Sequence, residues 1–117
     1  MNILDKVPIY GKIYEIILEN ILNKEWKENE KIPSVREIAV KMEVNPNTIM
    51  KSINKLQELE ILENKRGIGF FVKEGAYEKV LQIKKEEFFN IYLPFIVKRA
   101  KLLNINLIEE LKKFEKD

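Results

Sequence analysis

The sequence predicts a mostly α-helical chain with one small β-hairpin. Three features carry that expectation: apolar residues recur at helical spacing in several segments, two helix-start signals stand close together at Ser34 and Asn45, and a short aromatic and β-branched run, Phe70-Phe71-Val72, follows a glycine-containing turn. A chain of 117 residues builds one main hydrophobic core and a helical extension, but not two domains of ordinary size. With 45% hydrophobic and 34% charged residues of both signs, it has the composition of a folding globular chain and not of a disordered one.

The first helix is expected from Ile9 to Leu22. Ile9, Ile13, Ile16, Ile17, Leu18, Ile21 and Leu22 fall mostly on one side, with Lys12, Glu15 and Glu19 on the other. From Asn23 to Lys31 the sequence is polar apart from Trp26, so it reads as a connection that the indole anchors to the core. Ser34-Val35-Arg36-Glu37 fits a capping box: the Ser34 hydroxyl accepts from a backbone N–H that has no partner in the helix, and Glu37 reaches back to the cap residue. The helix it opens is short, with Val35, Ile38, Ala39 and Met42 inward. It gives way at Glu43-Val44 because Asn45, preceding Pro46, is pushed out of helical geometry.

Asn45 then caps the next helix, with Pro46 at a first position where a missing N–H costs nothing. Along this helix Ile49, Ile53 and Leu56, flanked by Ser52 and Leu59, make the core face. Asn47, Met50, Lys51, Asn54 and Glu58 lie on the opposite face. Glu60 to Glu63 reads as a strand-like run, Asn64 to Gly69 as a turn, and Phe70 to Val72 as the second strand. Ala76 to Asp117 is helical in composition. Leu81, Phe88, Phe95 and Leu102 recur at sevens, with Phe89, Tyr92, Ile96 and Leu103 widening the stripe. Pro94 is expected to remove a backbone bond and kink this helix. Asn104 to Asn106 interrupts it, and Leu107, Ile108, Leu111 and Phe114 mark a last short helix.

Composition narrows function. The chain has no histidine and no cysteine, and it shows neither a metal-ligand cluster nor a glycine-rich phosphate loop after a strand, so enzymatic chemistry and a cofactor are not expected. The net charge of +2 permits nucleic acid as a partner without demanding it. The uncharged run Phe88 to Val97 is about half of a membrane-spanning length, no export signal is recognisable, and a cytoplasmic protein is expected.

A short helix, a tight turn and a second helix with a polar free face make a helix-turn-helix, and the hairpin behind it makes a wing. The second helix suits the major groove, about 12 Å wide, with Asn47, Lys51 and Asn54 toward the base edges. Four motifs in order, Pro33 to Ala39, Val44 to Ile49, Leu56 to Leu62 and Arg66 to Val72, together with Pro8-Ile9-Tyr10, resemble the winged-helix domain of GntR-family transcription regulators over residues 8 to 73. The short tail resembles the YtrA-like branch of that family, in which two C-terminal helices serve dimerisation and whose members are often linked to transporter operons. Where many relatives have glycine after the recognition helix, this chain has Glu60.

The resemblance implies a winged helix-turn-helix at residues 1–75 and a dimerisation segment at 76–117. It implies DNA contacts by Arg36, by Asn47 and Thr48, and by Arg66 and Gly67 at the wing tip. Ser34, Asn45, Lys51, Asn54 and Lys65 complete the candidate DNA-binding set, Ser34 being equally explained by capping alone. Leu81, Phe88, Phe89, Tyr92, Phe95, Ile96, Leu102 and Leu103 are the candidate dimer contacts. The expected function is a repressor that binds a palindromic operator as a homodimer. The alternative is a winged-helix module that binds protein and never meets DNA. Any small-molecule effector is left open.

Overall fold

The computed structural model describes residues 11–115. The expectations placed on Pro8, Ile9 and Tyr10 lie outside the described residues. The chain divides into two compact units, one ending at Ile83 and the other beginning at Lys84.

In the first unit, α1 (Lys12–Leu22), α2 (Val35–Met42) and α3 (Pro46–Glu58) precede an antiparallel hairpin of β1 (Leu62–Lys65) and β2 (Gly69–Val72), and α4 begins at Ala76. The core is almost wholly aliphatic. Ile17 and Leu18 of α1, Ile49, Ile53 and Leu56 of α3, and Ile61 are all fully buried. Burial contributes about 1.5–3 kcal/mol for each such side chain. Trp26 packs against this cluster, as its isolation in a polar stretch predicts. Ala76 and Val80 belong to the same core, so this compact unit runs past residue 75 and takes in the first turns of α4.

The short helices start where the sequence places them. Ser34 Oγ accepts from Glu37 N–H at 3.1 Å while Glu37 Oε1 accepts from Ser34 N–H at 3.1 Å, and Asn45 Oδ1 accepts from Asn47 N–H at 2.8 Å. They end alike, by a device not visible in the sequence. Glu43 N–H donates to Val40 O and Val44 N–H to Ala39 O; correspondingly, Glu60 N–H donates to Gln57 O and Ile61 N–H to Leu56 O. Each is a Schellman closure, and each puts a glutamate in the left-handed region, Glu43 at φ 56° and Glu60 at φ 59°. At the position where the resemblance leads one to expect glycine, Glu60 itself adopts the glycine-like backbone and ends α3. This corrects the strand boundary. Glu60 and Ile61 belong to the helix terminus, and β1 extends instead through Asn64 and Lys65.

The hairpin turn is Arg66-Gly67-Ile68, with Ile68 N–H donating to Lys65 O at 2.9 Å and Gly67 at φ 80°, which suits the third position of a type II turn. The stretch Asn29 to Ile32, expected as pure connection, forms a third edge on the free side of β2. Lys31 bridges Phe71, Ile32 N–H donates to Phe70 O at 2.9 Å, and Val72 N–H donates to Glu30 O at 3.0 Å. From the same connection Glu28 accepts from Gly75 N–H at 2.9 Å and Tyr77 N–H at 3.0 Å, capping α4 across 47 residues of sequence.

α4 runs from Ala76 to Glu87 and continues into a single π-helical turn, Phe88–Tyr92. The second unit holds the end of α4, that turn, α5 (Leu93–Leu102) and α6 (Leu107–Lys112). Leu93 N–H donates to Phe88 O, a wider spacing than the α-helical one, directly before Pro94, which has no N–H to give. The proline is thus met by a π turn. That turn also shifts the phase of the apolar repeat between Phe88 and Phe95 by about one residue. α5 ends with Asn104 at φ 56°, and Asn106 caps α6 by accepting from Glu109 N–H at 3.2 Å. Among the described residues, no helix is long and apolar enough to cross a membrane.

Candidate nucleic-acid interface

α3 is two-sided. Ile49, Ser52, Ile53 and Leu56 are buried, whereas Asn47, Thr48, Lys51 and Asn54 are exposed. The spacing of Asn47, Lys51 and Asn54, four and then three residues apart, aligns them along one stripe of the helix. Among the described residues, no neighbouring element of the first unit covers that stripe, and each of its side chains is exposed. With 13 residues, α3 is about 20 Å long, enough to lie within a major groove.

Asn45 is exposed at the start of this helix, but its side-chain oxygen is committed to capping. Ser34 is half-buried and likewise used by its own helix. Capping accounts for both side chains. Arg36, at the second position of α2, is exposed. The first turns of α2 and α3 each present the positive end of a helix dipole, which favours phosphate, although in α3 Pro46 has no N–H and those of Asn47 and Thr48 are already taken by Asn45.

The wing supplies a second group. Lys65, Arg66 and Gly67 are exposed at its tip. The Lys65 ammonium lies 4.2 Å from the centre of the Phe71 ring, a cation–π contact that holds it over the sheet. Gly67 carries the positive φ of the turn and has open space where a Cβ would stand, so its backbone is accessible from outside. Ile68 is also exposed there.

Carboxylates border rather than fill these surfaces. Glu37 is held below the ordinary carboxylate range, chiefly by the Ser34 backbone N–H of the capping box. Glu60 is held down mainly by Lys73 at 3.3 Å and also by Lys79 at 3.4 Å. Two lysines of the first unit are therefore engaged by the residue that closes α3. Glu58 pairs with Lys55 at 3.7 Å near the same end. Within α3 itself, Glu58 is the single carboxylate.

The candidate dimer contacts lie mostly bare. Phe88, Phe89, Tyr92, Ile96, Leu102 and Leu103 are exposed, while Leu81 and Phe95 are half-buried. Phe88 and Phe89 meet edge to face, their ring centres 5.4 Å apart. α6 is bare as well, with Ile108, Leu111 and Phe114 exposed. Among the described residues, no cluster of three or more carboxylate, histidine or cysteine side chains is placed to hold a metal.

Comparison with known proteins agrees with this geometry. The family model for bacterial regulatory proteins of the gntR family matches residues 9–72. An uncharacterized HTH-type transcriptional regulator of Bacillus subtilis, YhcF, is 34% identical over 110 residues, 92% of this chain and 89% of that protein. The B. subtilis HTH-type transcriptional repressor YtrA is 36% identical over 66% of this chain and 59% of its own length. A GntR family transcriptional regulator from Listeria monocytogenes superposes with a TM-score of 0.74 at 32% identity, covering 93% of this chain and 96% of that one. BusR of S. agalactiae, solved in complex with its busAB-promotor DNA, superposes at 0.57 with 27% identity, over 94% of this chain and 51% of that one.

Proposed function

The chain belongs to the GntR family of bacterial regulatory proteins, and on that premise we propose that it is a repressor that binds a palindromic operator as a homodimer. One observation carries the reading: Asn47, Lys51 and Asn54 form an uncovered polar stripe on α3, while the other side of the same helix closes the core. Asn side chains suit adenine edges, and Lys51 suits guanine or a phosphate. Arg36, at the start of α2, takes a phosphate or a guanine. Arg66 and Gly67 enter the minor groove from the wing. The DNA-bound form of BusR and the repressor role of YtrA support the direction of this reading.

The homodimer rests on the apolar surface of the second unit. The exposed aromatic and aliphatic side chains from Phe88 to Leu103 exceed the scattered apolar residues of an ordinary surface, and a contiguous patch of that kind marks a partner. We assign DNA binding to residues 1–75 and dimerisation to residues 76–117, whose exposed apolar surface lies beyond Ile83 while Ala76 and Val80 close the core of the first unit. A two-fold dimer presents two α3 helices to half-sites about one helical turn apart, which makes the operator a palindrome.

Selection from random duplexes, followed by gel retardation of the recovered sequence, tests this. An enriched inverted repeat bound far more tightly than shuffled sequence is expected. Recovery of no motif, with only weak binding at low salt, rejects the reading in favour of a module that binds protein.

A further inference from the structure

The wing has a cation that does not come from the wing. Strand register and the alternation of side chains put Glu63 and Lys65 of β1, Gly69 and Phe71 of β2, and Lys31 of the third edge on one face of this small sheet. The opposite face carries Leu62, Val72 and Ile32, all buried in the core. Lys31 does not lie along its own strand: a Cβ placed on Gly69 would stand 2.8 Å from Lys31 Cε and 3.8 Å from Nζ, so the lysine stem crosses directly over that glycine. Its ammonium therefore reaches the tip end of the sheet from one flank of β2, while Lys65 stands on the other flank. Lys31 is exposed; the acid of that face, Glu63, lies two residues back from Lys65, away from the tip, and the carboxylate that feels the Lys31 charge is Glu37 of α2, itself held by the Ser34 cap.

We propose that Lys31 contacts a DNA backbone phosphate beside the minor groove that the wing enters. The inference rests on the DNA-binding reading above. Two inter-strand spacings separate the Lys31 edge from β1, about 10 Å, whereas the minor groove is about 6 Å wide. The tip, with Arg66 and Gly67, fits inside; the two flanks do not, and they meet the phosphate rows that border the groove. A lysine is a point charge on a long stem, suited to such a rim contact and not to reading a base. Gly69 is the residue that lets the stem pass.

The test compares the salt dependence of binding by the full chain to the selected duplex and to a shuffled one. Lys31→Met keeps the stem that packs on Gly69 and removes the charge. It is expected to weaken binding to both duplexes alike and to lower the slope of log K against log salt by about one unit. Lys31→Arg, which keeps the charge, is expected to hold the wild-type slope. An unchanged slope in Lys31→Met, with wild-type binding intact, overturns the assignment of Lys31 and leaves the DNA reading standing. A wild-type chain that retards no duplex overturns both.

Discussion

Glu28 shows how much one side chain contributes from far away. It sits in the connection after α1, yet its two carboxylate oxygens accept from Gly75 and Tyr77 N–H, which gives α4 the cap that its own sequence lacks. A carboxylate there also meets the positive end of the helix dipole. The backbone donors at Gly75 and Tyr77, in that order, hold its pKa below the ordinary carboxylate value. Because the folded form favours the charged group, its contribution to stability is fully present above the unfolded-state value and is lost as pH falls through the lower, folded one. Glu28→Gln is therefore expected to lose about 1 kcal/mol at neutral pH, the scale of a helix cap, with the difference from wild type shrinking at pH 3. Urea denaturation of both proteins at the two pH values checks this; a difference independent of pH means that the carboxylate charge is not what holds α4.

At the scale of the element, the start of α3 joins folding to recognition. Asn45 is the cap, and Asn47 and Thr48, immediately beyond it, are candidate DNA contacts. Asn45→Ala is expected to cost about 1 kcal/mol of stability. Asn45→Asp keeps an accepting oxygen and the stability but places a negative charge where phosphate is expected, so DNA affinity falls while the melting temperature holds. Thermal melts read beside retardation assays separate the two effects, and equal affinity in Asn45→Asp and wild type removes this turn from the interface. These helix starts were legible because each cap lies within three residues of its partner and the residue types are specific to the job. The closures of α2 and α3 were not. Left-handed backbone at Glu43 and Glu60 is imposed by Val44 and by Ile61, the latter wholly buried, and no local residue preference announces it. The same holds for the edge from Asn29 to Ile32, whose pairing partner is some forty residues away, and hence for Lys31 over Gly69. The polar stripe of α3 and the basic tip of the wing were visible as pattern; the additional cation required the register of the sheet.

For the whole molecule, the proposed homodimer ties DNA affinity to oligomeric state. A single winged helix on a half-site gains only its own contacts, whereas a linked pair holds the second half-site at high effective concentration and gains affinity by orders of magnitude without any new contact. In the proposed homodimer the apolar side chains of the second unit are the means of linkage, and Phe89 and Ile96 are the sharpest probes because both are bare, 60% and 48% exposed, and neither belongs to the core of the first unit. A charge at either position costs the isolated chain little, since the side chain already faces water, but it is buried without a partner if two copies meet there. Phe89→Asp and Ile96→Asp are each expected to halve the mass measured by sedimentation at micromolar concentration. They should leave the thermal melt of the first unit unchanged and reduce binding to the palindrome to the level seen on a single half-site. Two outcomes decide the matter. Mass retained in both variants places the dimer contact elsewhere. Mass halved with palindrome affinity intact separates dimerisation from recognition and leaves each winged helix to bind alone.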